Sequence, residues 1–120
     1  MFGVSGDVQK QTTARSCQLV SDFLDSMHPL SLRKDGIYHD MATLAVLPDD
    51  VFRLEQIRVP TLVIHTVDDG LQPYSHGVNT ATRVPDAKFV SYERGGHLLV
   101  LQLDDVREKV AAFLCLHCPK

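Results

Sequence analysis

The chain has 120 residues, of which 44% are hydrophobic and 22% charged, and its formal net charge is −3. That length allows one domain or less, and the balance is that of a globular chain, not a disordered one. A negative net charge argues against a nucleic-acid or acidic-lipid surface, and no apolar run approaches the roughly 20 residues of a membrane span.

The N-terminal stretch lacks a basic region followed by an apolar one, so no signal peptide is read. Three cysteines (Cys17, Cys115 and Cys118) suit free thiols better than a disulfide framework, and a cytoplasmic setting is expected. Residues 1–10 are weakly patterned. Over 13–27 the apolar residues Cys17, Val20, Phe23, Leu24 and Met27 recur at helical spacing, which predicts a helix with one buried stripe and Thr12 or Thr13 as its N-cap. His28-Pro29 should end it, because proline pushes the preceding residue out of the α region. Residues 31–44 predict a second helix with Ile37, Met41 and Leu44 on one face, weakened by Gly36. Beyond Pro48, Asp49 or Asp50 is placed to cap a short helix running through Glu55.

Thr61-Leu62-Val63-Ile64-His65 is a short, nearly continuous apolar run bounded by Pro60 and by Asp68-Asp69-Gly70. It predicts a parallel strand covered by helices on each side. Pro73 suits the first turn of a helix whose apolar face is Tyr74, Val78 and Ala81, and Pro85 stops that helix. Residues 87–92 predict a second strand, and Arg94-Gly95-Gly96-His97 a tight loop in which glycine takes positive φ. The last helix spans 104–114, with Val106, Val110, Phe113 and Leu114 as its stripe and two aspartates at its positive end. Strand, helix, strand in this order implies a right-handed parallel crossover.

Both predicted strands end in a titratable group on a sharp loop. In an open α/β sheet such loops gather at the C-terminal edge, where ligands bind. Neighbouring strands would bring a carboxylate of the Asp68-Asp69 pair and the imidazole of His97 together there. A carboxylate accepting the Nδ1 proton fixes the tautomer and stabilises the imidazolium formed when Nε2 takes a nucleophile's proton. Alone, Asp-Gly after a strand is ordinary turn chemistry; its pairing with the Gly-Gly-His loop gives it a catalytic reading. His65 reads as a partly buried packing or hydrogen-bonding residue. His28, His39, His76 and His117 have no partner at ligand spacing and are assigned to the surface or lid.

Residues 57–114 resemble the C-terminal segment of the α/β-hydrolase family: Ile-Arg-Val-Pro-Thr-Leu-Val-Ile-His-Thr-Val-Asp-Asp-Gly-Leu-Gln-Pro, then Val-Pro-Asp-Ala-Lys-Phe-Val, then Glu-Arg-Gly-Gly-His, then an amphipathic helix. Residues 13–53 more loosely resemble the lid inserted before this strand. The resemblance implies an incomplete α/β-hydrolase fold, α/β in class, with two parallel strands flanked by helices. A helical, lid-like region would occupy 1–56 and a core segment 57–120. It implies hydrolysis of ester, amide or related carbonyl bonds by a triad in the chain order nucleophile, acid, histidine.

The acid falls at Asp69 and not Asp68, because the family's proline stands four residues after the acid and Pro73 stands four after Asp69. The base falls at His97. Asp68 is then a solvated neighbour or a hydrogen-bonder within the loop. Thr66 departs from the pattern, which usually has glycine there. No metal or organic cofactor is called for, and the partner is a small-molecule substrate, given completion by upstream sequence.

The family's Gly-x-Ser-x-Gly nucleophile motif is absent. The nearest string, Gly3-Val4-Ser5-Gly6-Asp7, lacks the final glycine and a preceding strand. The chain is therefore expected to be part of a hydrolase, inactive by itself, and to self-associate through core surface left exposed. The alternative is a non-catalytic binding or assembly module that keeps the scaffold. Cys115-Leu116-His117-Cys118 closes a helix, whereas a redox motif should open one, and zinc would need two further ligands; it reads as a frayed tail.

Overall fold

The computed structural model of the chain describes residues 12–47 and 51–117. In order come α1 (Ala14–Met27), a 3-10 turn (Leu30–Leu32), α2 (Lys34–Val46), a 3-10 turn (Leu54–Gln56), β1 (Leu62–Thr66), α3 (Tyr74–Arg83), β2 (Lys88–Tyr92) and α4 (Leu103–His117). The proposed caps Asp49 and Asp50, with Ser5 and Cys118, lie outside the described residues.

β1 and β2 pair in parallel, in a register running from Leu62 opposite Lys88 to Thr66 opposite Tyr92. Backbone bonds extend the ladder at each end: Lys88 N donates to Thr61 O at 2.9 Å and Val67 N to Tyr92 O at 2.8 Å. β1 therefore runs one residue later than the apolar run alone predicts. Polar Thr66 is drawn into the strand by this pairing.

Alternation along β2 puts a helix on each side of the sheet. Phe89 and Ser91 face α3: the Tyr74 ring lies 5.9 Å from Phe89 by centroids, and its hydroxyl is 2.8 Å from Ser91 Oγ. His65, the register partner of Ser91, meets the same Tyr74 ring edge-on at 5.8 Å. Lys88 and Tyr92 face α4, where Lys88 Nζ sits 5.9 Å above the Phe113 ring and Tyr92 Oη donates to Asp105 Oδ2 at 2.6 Å. Two covered faces account for the continuous apolar run.

Helix α3 presses on β1 through Gly77. A Cβ there would stand 2.8 Å from His65 Cδ2, so only glycine allows this approach. The face of α3 toward the sheet consequently runs through buried Gly77 with half-buried Tyr74 and Ala81, whereas Val78, expected on that face, is exposed. Pro73 caps the helix and Val84 closes it before Pro85. On α4 the stripe Val106, Val110 and Phe113 is half-buried as expected, but Leu114 turns to solvent. The first turn of α4 holds Asp104 and Asp105.

The N-terminal helices departed further from expectation. Thr13 does cap α1, its Oγ1 accepting the Ser16 amide at 3.2 Å, and His28 ends the helix in extended conformation. Yet Cys17 and Phe23 are exposed while Val20, Leu24 and Met27 are only half-buried. On α2, Ile37, Met41 and Leu44 are all exposed. The physical reason is that the buried apolar core among the described residues is small, Val84 and Val100, and gives these helices little to pack on. The Arg15–Asp104 pair at 3.4 Å is solvent-exposed and holds α1 only weakly. No helix among the described residues is long and apolar enough to cross a membrane.

Candidate active site

Because β1 and β2 are in register to their last residues, the loops that follow leave the same edge side by side. The second loop turns on two buried glycines, Gly95 at φ 142° and Gly96 at φ 61°, conformations that L side chains rarely adopt. A Cβ on Gly95 would have ordinary contact distances, 3.4 Å from Leu99 Cα, so it is the backbone angle that calls for glycine there. Beyond His97 the chain turns back through Leu99, which holds φ 53°. The turn is tied by Leu99 N to Gly96 O and Val100 N to Gly95 O, each at 3.1 Å. A left-handed leucine costs about 1–2 kcal/mol, and no sequence signal announces it.

Asp69 carries three contacts on a side chain only 5% exposed. Its Oδ1 accepts the amides of Leu71 (2.8 Å) and Gln72 (3.0 Å), and its Oδ2 lies 2.9 Å from His97 Nδ1. Burial pushes the Asp69 carboxyl up, but the Gln72 amide, the His97 imidazole and the Leu71 amide outweigh it, holding the group below its ordinary range. An ionised carboxylate only accepts, so Nδ1 of His97 carries a proton, and in the neutral ring Nε2 is the nitrogen with the free lone pair. His97 is 40% exposed, so this pair joins a buried anion to an accessible ring.

The sequence pointed to Asp69 and His97, and the fold brings them together. Asp68 is a loop hydrogen-bonder: Oδ1 accepts the Gly96 amide at 2.8 Å and Oδ2 the Gly95 amide at 3.1 Å. Thr66, the departure from the family pattern, is 1% exposed and donates Oγ1 to Gly96 O at 3.0 Å. His65 packs as expected, its Nδ1 2.8 Å from Thr66 O, with Nε2 3.9 Å from Asp69 Oδ2. That distance is beyond a hydrogen bond. A carbonyl only accepts, so His65 donates from Nδ1 to Thr66 O, and the hydrogen bond from a ring nitrogen to Asp69 is the one made by His97.

A cleft of about 220 Å³ opens here, lined by His65, Asp69, Gln72, His97 and Leu99 among others. Elsewhere, His76 Nδ1 is 3.1 Å from Gln72 Oε1, and the His117 ring lies 4.6 Å from that of Phe113. Cys17 and Cys115 are free and exposed. Among the described residues no group of three or more His, Cys, Asp or Glu could hold a metal ion.

Curated proteins similar to this chain are esterases and hydrolases. Over 94 residues it is 29% identical to a pimeloyl-[acyl-carrier protein] methyl ester esterase of Aromatoleum aromaticum, covering 77% of this chain and 34% of the relative. Over 64 residues it is 36% identical to a rhodomycin D methylesterase of Streptomyces peucetius, covering 53% and 20%. Over 63 residues it is 38% identical to a protein of Rhizobium rhizogenes named as a carbamate hydrolase, covering 52% and 24%. The chain thus spans between 20% and 34% of the length of these relatives. No family model and no solved structure matches the chain.

Proposed function

We propose that this chain, a portion of an α/β-hydrolase, supplies the acid and the general base of a nucleophile–His–Asp triad that hydrolyses carboxylic esters or related carbonyl compounds. The observation that carries the reading is the 2.9 Å contact between His97 Nδ1 and the buried Asp69 Oδ2, with the imidazole otherwise accessible. In this reading a serine hydroxyl, from sequence other than these 120 residues, attacks the carbonyl carbon as Nε2 of His97 removes its proton. The imidazolium, held by Asp69, returns that proton to the departing alkoxide. Water, activated by the same nitrogen, then releases the acid from the acyl-serine. The depressed Asp69 carboxyl favours the reading, because it stays ionised throughout. Two of the relatives named above act on methyl esters by their names, which favours an ester of a small alcohol as substrate. The helical residues before β1 would act as a lid, and the setting would be cytoplasmic, with neither nucleic acid nor membrane as partner.

The chain alone should cleave an activated aryl ester no faster than background. The direct test is a chimera of the pimeloyl-[acyl-carrier protein] methyl ester esterase in which residues 57–117 replace the matching segment. We expect esterase activity that disappears in Asp69→Ala and in His97→Ala. A folded chimera that is inactive, or one indifferent to both substitutions, refutes the reading.

One observation favours a second reading, a binding or assembly module. Among the described residues β1 has a partner strand on one edge only, and α2 exposes Ile37, Met41 and Leu44. Open edges and apolar patches of this kind promote association. Light scattering should then find dimers or larger species; a monodisperse monomer contradicts it.

A further inference from the structure

We infer that Asp68 is the positioning residue of the histidine loop: its carboxylate clamps the Gly95 and Gly96 amides and thereby sets the place from which His97 reaches Asp69. The inference deepens the proposed function and rests on its Asp69–His97 pair.

The two neighbouring carboxylates divide the work. Asp69 holds its own loop through Leu71 and Gln72 and meets the imidazole of His97. Asp68 reaches across to the other loop and takes consecutive amides, one on each oxygen, at 3.1 Å from Gly95 and 2.8 Å from Gly96. Thr66 at the end of β1 holds the Gly96 carbonyl at 3.0 Å. Both backbone polar groups of Gly96, the residue before His97, are thus fixed to β1 and the loop that follows it.

The loop needs such a tie. Glycine loses more conformational freedom on ordering than any other residue, and two stand in succession immediately before the histidine. Left untied, they would let the ring wander by an ångström or more, enough to break a bond of 2.9 Å. A carboxylate is the fitting group. It offers an acceptor to each amide, and hydrogen bonds to an ionised acceptor are roughly twice as strong as neutral ones. Asparagine offers one oxygen and turns a donor toward the second amide. The departure at Thr66 belongs to the same arrangement, since glycine there would have no hydroxyl to give.

The test uses the full chain and its Asp68→Ala, Asp68→Asn and Thr66→Val variants, read by NMR. Amide exchange at Gly95 and Gly96 should speed up by roughly tenfold to a hundredfold in Asp68→Ala, as expected for loss of bonds to a charged acceptor. Asp68→Asn should fall between, and Thr66→Val should be milder. The downfield Hδ1 line expected for His97 in the wild type should vanish in Asp68→Ala and broaden in Asp68→Asn, while Tyr92 and Phe113 signals stay in place. Should Asp68→Ala fail to fold, Asp68→Asn is judged by the same two readouts. Faster glycine exchange with an unchanged Hδ1 line would reduce Asp68 to a loop closure and overturn the inference, as would unchanged exchange. An Hδ1 line missing from the wild type, with both glycine amides still protected, would instead condemn the pairing itself and leave nothing to position.

Discussion

Replacing Gly77 by alanine pits two effects of known size against each other. In an unobstructed helix interior the change from glycine to alanine stabilises by about 1 kcal/mol, through lost freedom of the unfolded chain. At Gly77 the added methyl would stand 2.8 Å from His65 Cδ2 and 3.0 Å from its Cβ and Cγ. Those are the near, inflexible atoms of a half-buried ring wedged against Tyr74, so the ring or the helix must move. Overpacking of this kind costs about 1–3 kcal/mol, which leaves a net destabilisation of roughly 0–2 kcal/mol. Gly36 in α2 provides the control, because a Cβ there meets nothing within 4 Å. Gly36→Ala should therefore stabilise by about 0.5–1 kcal/mol. Urea unfolding of both variants, with the slope checked for constancy, separates the outcomes. Adding His65→Ala to Gly77→Ala should remove most of the clash. If Gly77→Ala stabilises as much as Gly36→Ala, α3 does not pack on β1 as described.

Three further predictions follow from the site and its surroundings. The Asp69 carboxyl titrates below its unfolded value of about 3.9, so the stability it lends through its own ionisation is complete above that pH and lost as pH falls through the folded value; the stability gap between wild type and Asp69→Asn, measured by urea unfolding, should shrink as pH falls below about 4. Burial and the Asp105 carboxylate push the Tyr92 hydroxyl up to about 12, so an alkaline absorbance titration should contain a component there that Tyr92→Phe abolishes. Thr66→Val preserves shape in a buried position but removes the bond to Gly96 O, and should cost about 0.5–1.5 kcal/mol in urea unfolding.

How much could be read in advance divides along physical lines. The first strand, read at 61–65 and found at 62–66, the glycine turn at 95–96 and the closeness of Asp69 and His97 were legible because each is announced locally: an apolar run, residues tolerant of positive φ, and titratable groups at strand ends. The role of Asp68 was legible only as one of two options, since which oxygen meets which amide depends on register between distant loops. Val78 and Leu114 were placed inside by helical periodicity, yet the close approach at Gly77 rotates α3, and the buried stripe of α4 stops at Phe113. Periodicity says that a helix has an apolar face but not that anything covers it, which is why α1 and α2 look better packed in the sequence than in the fold. Leu99 at positive φ runs against its own propensity and gave no signal.

The most direct measurement is the nitrogen-15 spectrum of the imidazole rings above neutral pH, for the wild-type chain and for Asp69→Ala. The pairing described here predicts a neutral His97 protonated at Nδ1 in the wild type, with the proton redistributed toward Nε2 once the carboxylate is gone. The same nitrogen pattern in both proteins would mean that the two side chains do not bond, and the proposed relay would have no physical basis.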